Sequence, residues 1–189
     1  MNLDVNTPRG QETLRDEERA VQIFERNFEG WTYRHTNKSG DAKANAFLFD
    51  ANDVMRRVVE TKCRYDLSLS KFQNESPFDN EWLLTAQKLR DLCECAKLLR
   101  CPAVGFLYLV QDDCLLIVRL CNDNGELLPN VRYANTRTQK TCNGGSTVRE
   151  NAFIDMSAAK PYYRPTLTSP QCTNAEWIAA YEREELRAA

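Results

Sequence analysis

The sequence is poor in histidine, glycine and proline: it has one histidine, His35, and seven each of glycine and proline among 189 residues. A single histidine disfavours histidine-based nucleophilic catalysis and histidine-rich zinc sites. The low glycine and proline contents, together with 42% hydrophobic and 28% charged residues, exclude collagen-like and disordered chains. We therefore expect a globular protein, with residues 1–189 forming a single domain.

Long apolar runs are also missing. No stretch of about 18 apolar residues occurs, and the first residues have neither the basic nor the apolar segment of a signal peptide. We therefore expect neither secretion nor membrane spanning. Eight cysteines without an export signal are then expected to be reduced thiols, as in a cytoplasmic protein.

A zinc site is not indicated by the cysteine spacing. Cys93 and Cys95 with Cys101 are the nearest to a metal motif, but residues two apart in a helix point about 200° apart and cannot readily share one ion. Cys121, Cys142 and Cys172 are widely spaced and form no C-x-x-C pair. Small buried residues are the simpler interpretation.

Hydrophobic periodicity predicts an α-β-β-α-β-β order over the first 120 residues. Apolar residues at helical spacing predict a helix over 13–28, and β-rich segments over 44–49 and 54–64 predict a hairpin about turn residues 51–53. A further short strand could lie at 31–35. We predict a long helix over 79–99 that is capped by Asp79, and then strands over 104–110 and 115–120.

The remainder reads as a C-terminal β/α extension over about 121–189. Residues 131–133 and 147–154 are candidate strands, and 174–186 is a candidate helix with Asn174 as its cap. The core of the domain is accordingly placed at about 12–120.

The second strand of the hairpin carries the most informative residues. Val58, Glu60 and Lys62 share one face because side chains alternate along a strand. A divalent ion that polarises a phosphate, with a nearby cation that orients the attacking water, is what phosphodiester hydrolysis needs. Glu60, one more side-chain oxygen and the carbonyl of Thr61 would suffice for Mg²⁺ or Mn²⁺. The alternative is a charged pair exposed on a strand.

With E-x-K on a strand after a hairpin turn and before a long helix, residues 12–120 resemble the PD-(D/E)XK, or restriction-endonuclease-like, nuclease superfamily. The resemblance implies an α/β core in which a central mixed sheet is flanked by helices, and metal-dependent hydrolysis of DNA. It also implies a helix-borne acid, for which Glu18 on the apolar stripe is chosen over Glu17, with Asp16 and Arg19 facing water. Gln87 and Lys88 correspond to the polar residues of the second helix.

One position departs from the family pattern. The strand before E-x-K should carry an aspartate, and this sequence has Asn45. An amide oxygen is a weaker Mg²⁺ ligand than a carboxylate, so both metal affinity and rate should be lower. Three explanations stay open: an engineered inactivating change, ranked first, a natural loss of activity, or a different acid at Asp41 or Asp50. Asp50 is the poorer substitute because it faces away from Asn45.

Basic residues on both sides of the motif predict local contacts with DNA phosphates, since a net charge of −2 argues against a generally basic surface. The candidates are Arg56, Arg57, Arg64, Lys71, Lys88 and Arg90. A distal group, Arg132, Arg137, Lys140 and Arg149, is either a second contact surface or a solvated hairpin.

The prediction is thus a Mg²⁺-dependent deoxyribonuclease, present here in a form that Asn45 could have inactivated. The alternative is a catalytically inactive module of the same fold that binds nucleic acid or a protein partner. Nucleic acid, most simply DNA, is the expected partner, and a homodimer or an additional partner protein is compatible with the sequence.

Overall fold

A computed structural model describes residues 7–37, 42–75, 79–137 and 147–164. A six-stranded sheet lies between helices, and a three-stranded sheet lies beside it. In chain order the elements are α1 (Pro8–Asn27), β1 (Thr32–His35), β2 (Ala46–Phe49), β3 (Met55–Arg64), α2 (Leu69–Asn74), β4 (Glu81–Thr85), α3 (Ala86–Leu99), β5 (Ala103–Leu109), β6 (Cys114–Cys121), β7 (Val131–Arg137), β8 (Val148–Asp155) and β9 (Lys160–Tyr163).

The six-stranded sheet has the order β1-β2-β3-β5-β6-β9, and the smaller sheet has the order β4-β8-β7. Among the strands of the described residues, β3 and β5 pair in parallel and the other pairs are antiparallel. A parallel pair needs a crossover connection, and α3 lies in the one that joins β3 to β5. The predicted mixed α/β architecture, with a central mixed sheet flanked by helices, is confirmed.

The hairpin that carries E-x-K forms as predicted. Ala46 pairs with Val59 and Phe47 with Val58 across β2 and β3. At the turn, the Asp50 side chain accepts hydrogen bonds from the backbone N–H groups of Asn52 at 2.9 Å and Val54 at 3.0 Å. The predicted early strand is also present, as β1, and it pairs with β2.

Two apolar clusters fill the space on either side of the central sheet. On one face, Val59 of β3 and Phe106 of β5 pack with residues of α1. On the other face, Val58 and Leu107 pack with Leu89 and other residues of α3 and with the smaller sheet. Since Glu60 follows Val58 by two positions, its side chain lies on the α3 face of the sheet.

The predicted helix over 79–99 was wrong in its first part, which is strand β4. The buried residues of β4, Trp82 and Leu84, alternate with partly exposed ones, and the strand pairs with β8. A strand needs a partner, and this one comes from about 70 positions later in the chain. Asp79 caps no helix: it has φ 44°, the left-handed conformation typical of a turn.

Helix bounds differ elsewhere as well. The first helix begins at Pro8, where the Thr7 side chain caps it by accepting from the Gly10 N–H at 3.0 Å. The connection over 66–79 contains the short helix α2, capped by Ser68.

The C-terminal extension contributes to both sheets. The strands predicted at 131–133 and 147–154 are found as β7 and β8, whereas β9 was not predicted and extends the central sheet at β6. The predicted helix over 174–186 lies outside the described residues. Within the described ranges, no helix is long and apolar enough to cross a membrane.

Candidate functional site

A buried carboxylate between two lysines is the centre of the site. Glu60 is 0% exposed. Its Oε1 lies 2.9 Å from Nζ of Lys62, and its Oε2 lies 3.3 Å from Nζ of Lys88. Neither oxygen has a hydrogen bond of good geometry among the described residues. The carboxylate is therefore held by charge, and the three side chains together carry one net positive charge.

The two lysines come from different elements. Lys62 is two positions after Glu60 on β3, so it lies on the same face. Lys88 is the third residue of α3, and its Nζ also donates to the carbonyl of Ala42 at 3.0 Å. Gln87, which was predicted with Lys88, is exposed and donates to Asp91 at 2.9 Å instead. Neighbouring helical residues point about 100° apart, so only Lys88 lies beside Glu60.

Asn45 lies beside this cluster. It directly precedes Ala46, which pairs with Val59. The Asn45 N–H donates to the Val59 carbonyl at 2.9 Å, and its side-chain Oδ1 accepts from the Thr61 N–H at 3.2 Å. The amide side chain thus ties the chain before β2 to the E-x-K segment.

Tyr33 is a residue of the site that the sequence did not single out. Its hydroxyl lies 2.9 Å from Oγ1 of Thr61, and both side chains are buried. Burial raises the pKa of Tyr33 well above its usual value, and the charge of Glu60 adds to that rise while the hydrogen bond to Thr61 opposes it. The only available signal was that Tyr33 occupies a strand position whose neighbours are polar.

Trp82 packs over Gly105, the residue that pairs with Glu60 across β3 and β5. A Cβ on Gly105 would lie 2.2 Å from Cζ3 of Trp82, so the close approach requires glycine. A glycine inside an otherwise apolar strand was the available signal for such an approach.

The acid predicted on the first helix does not lie against Glu60. Its helix, α1, packs on the opposite face of the sheet, and Glu18 is exposed. The Glu18 charge reaches the site only in helping to raise the pKa of Tyr33. Asp16, expected to face water, is instead 2% exposed and forms an ion pair with Arg19 at 2.9 Å, and Glu17 is buried as well.

Several predicted phosphate contacts have other partners. Arg56 forms an ion pair with Asp50 at 2.7 Å, and Arg57 is buried with its guanidinium 5.8 Å from the Trp31 ring centroid. Arg56 precedes Lys62 by six residues on β3, which corresponds to about 20 Å along a strand. These two arginines therefore belong to the far end of the hairpin. Asp50 lies at that same far end, paired with Arg56, so it cannot replace Asn45 as the acid beside Glu60.

The remaining basic candidates divide between structure and surface. Arg64 donates to the Leu83 carbonyl at 3.3 Å and thereby connects β3 to β4. Arg90 forms an exposed ion pair with Glu150 at 2.9 Å, and Lys71 lies in the last turn of α2. Lys62 and Lys88 are the cations that the fold brings to Glu60.

The distal basic group, Arg132, Arg137, Lys140 and Arg149, lies partly within the described residues. Arg132 forms an ion pair with Glu81 and lies 4.0 Å from the Phe153 ring centroid, while Arg149 donates to Thr147 at 3.0 Å. Lys140, like the alternative acid Asp41, lies outside the described residues.

The donor set at Glu60 is incomplete for a divalent ion, and both Glu60 oxygens already face ammonium groups. Mg²⁺ prefers carboxylate and carbonyl oxygens and keeps several waters. Glu60 offers two buried oxygens without hydrogen bonds, Asn45 an amide oxygen, and Thr61 a backbone carbonyl. A second carboxylate is the missing element. Within the described ranges, no group of three histidine, cysteine, aspartate or glutamate side chains is placed to hold a metal.

Comparison with protein-family models, with curated proteins and with solved structures finds no match for this chain. The function of this chain is therefore inferred from the geometry around Glu60.

Proposed function

We propose that this chain is a nuclease of the PD-(D/E)XK type, which hydrolyses DNA phosphodiester bonds with Mg²⁺ or Mn²⁺ and whose activity Asn45 limits. The observation that carries the proposal is the buried Glu60 between Lys62 and Lys88, with the Asn45 amide oxygen bonded to the adjacent Thr61 N–H. The order α1-β1-β2-β3-α2-β4-α3-β5, in which β3 and β5 are parallel, supports a restriction-endonuclease-like core to which α2 and β4 are additions.

Each residue of the site has a separate role. Glu60, the Asn45 amide oxygen and the Thr61 carbonyl would hold the ion, which when bound polarises the phosphate and lowers the pKa of a water. Lys62, 39% exposed, is the cation that can reach a phosphate or orient that water. Lys88 is 22% exposed and also bonded to Ala42, so it mainly holds Glu60 in place.

The assignment of a phosphodiester as the substrate follows from the charge of the site. The site carries a net positive charge of one in a chain whose total is −2. A phosphodiester is therefore attracted locally, at the two lysines, and not by the surface as a whole. We expect affinity for DNA to be modest and to fall with added salt.

The test is cleavage of labelled single- and double-stranded DNA and RNA by the chain and by Asn45→Asp, with Mg²⁺, Mn²⁺ or EDTA. Asn45→Asp adds the missing carboxylate and should give metal-dependent cleavage, while Asn45→Ala is the matched control and should not. Adding Glu60→Gln to Asn45→Asp should abolish cleavage. If Asn45→Asp stays inactive on every substrate with both metals, the enzyme proposal fails.

A second candidate, an inactive module that binds nucleic acid, is favoured by the neutral side chain at position 45. Two ammonium groups then face one carboxylate, which is an anion-binding arrangement without any metal. This candidate predicts DNA affinity that persists in EDTA and is lost in Lys62→Met. Affinity that depends on the divalent ion would count against it.

A further inference from the structure

Thr61 is held by polar contacts on two sides. The Tyr33 hydroxyl lies 2.9 Å from its Oγ1, and its N–H donates to Oδ1 of Asn45 at 3.2 Å. Thr61 is 1% exposed and stands between Glu60 and Lys62 in the chain. The orientation of the peptide groups on either side of Thr61 therefore sets the backbone positions of Glu60 and Lys62.

The contact with Tyr33 is not what packing on that face requires. Tyr33 lies in the apolar cluster on the α1 face, with Val59 and Phe106 among its members, and its ring centroid is 5.9 Å from that of Phe106. A buried threonine there needs a hydrogen-bond partner, whereas valine has nearly the same shape and needs none. The hydrogen bond between Tyr33 and Thr61 thus fixes the orientation of Thr61, whereas an apolar pair of the same size would fill the space without fixing it.

We propose that Tyr33 is a positioning residue: through Thr61, its hydroxyl fixes the peptide that carries Glu60 and Lys62 in the geometry that hydrolysis needs. The effect on hydrolysis rests on the proposed function, while the effect on the Thr61 peptide does not. Tyr33 lies on β1 at the edge of the sheet, so the contact connects that edge strand to the reacting groups on β3.

The first experiment separates positioning from stability, in the Asn45→Asp background. Tyr33→Phe leaves the buried Thr61 hydroxyl without its partner, and adding Thr61→Val removes that hydroxyl as well. We expect the pair of substitutions to restore the melting temperature while kcat stays about tenfold lower at unchanged KM, since one hydrogen bond corresponds to about tenfold. Recovery of kcat together with stability would mean a structural role only and would overturn the proposal.

The second experiment needs no catalysis and uses the chain with Asn45 in place. Amide hydrogen exchange at residue 61 should be about tenfold faster in Tyr33→Phe with Thr61→Val than in the unchanged chain, while core amides exchange at unchanged rates. Tyr108→Phe is the matched control, because that hydroxyl donates to Asp113 away from Glu60; it should leave residue 61 unaffected.

The two experiments fail in different ways. If Asn45→Asp never cleaves, the proposed function is lost, and exchange at residue 61 alone decides whether Tyr33 positions the peptide. Unchanged exchange at residue 61 in the doubly substituted chain would overturn the positioning role.

Discussion

Replacing Gly105 by alanine should disturb the packing of Trp82 over the strand position that pairs with Glu60. The added Cβ would lie 2.2 Å from Cζ3 and 2.9 Å from Cη2 of Trp82, and 3.2 Å from Cγ1 of Val118. Carbon atoms in contact normally stay about 3.5–4.0 Å apart, so the Trp82 ring would have to move by more than about 1 Å. Trp82 is 1% exposed and fully packed, so the ring cannot move without displacing its neighbours.

We expect Gly105→Ala to lower the free energy of unfolding by about 3 kcal/mol, the upper part of the usual cost of overpacking. Urea unfolding gives this value, and tryptophan fluorescence should shift to the red if the displaced ring meets water. Because Gly105 pairs directly with Glu60, the same movement should expose the carboxylate.

A double-mutant cycle with Trp82→Leu is the control. Leucine lacks the ring atoms that the new Cβ would strike, so Gly105→Ala should cost less than about 1 kcal/mol in that background. The coupling of about 2 kcal/mol is the quantity to measure. Equal costs in both backgrounds would show that Trp82 does not lie over Gly105.

Two further outcomes are expected. Lys88→Met removes one cation from a fully buried carboxylate while Lys62 remains, so it should lower the free energy of unfolding in urea by about 1–3 kcal/mol. Gln87→Met, at the exposed neighbouring position, should change the free energy of unfolding by less than about 0.5 kcal/mol. Equal effects of the two substitutions would contradict the ion pair between Lys88 and Glu60. Burial raises the pKa of Cys114 from 9.0 to about 11. An unfolded thiol then ionises before the folded one, so the contribution of Cys114 to stability should be constant below pH 9 and be lost from about pH 9 to 11, by at most about 1.4 kcal/mol per pH unit for one proton. Cys114→Ala should flatten that part of the curve, and an unchanged slope would refute the assignment.

Local patterns in the sequence were sufficient for part of the fold. The β2–β3 hairpin, the first helix and the shared face of Glu60 and Lys62 all follow from the alternation of side chains over a few residues, and all are present. Position 45 could be placed in the segment that precedes the E-x-K strand, and Asn45 lies directly before β2. The residue types at the centre of the site were therefore accessible before any tertiary structure was known.

Other parts depend on residues far apart in the chain. Residues 81–85 form a strand because β8 pairs with them, and nothing within the segment itself specifies that partner. Likewise, Lys88 and not Gln87 lies beside Glu60 because of the rotation at which α3 packs on the sheet. The arginines 57 and 64 could not be separated from phosphate contacts by sequence, since their partners are an aromatic ring and a carbonyl from other elements.

The sequence by itself determined the strand that carries Glu60 and Lys62, since alternation along a strand is a property of neighbouring residues. Only the tertiary structure decided what surrounds that carboxylate: Lys88 from a helix, Tyr33 behind Thr61, and Trp82 over Gly105. The physical reason is that burial and charge pairing depend on distances in space, and elements separated by tens of residues reach those distances only when the whole sheet has formed.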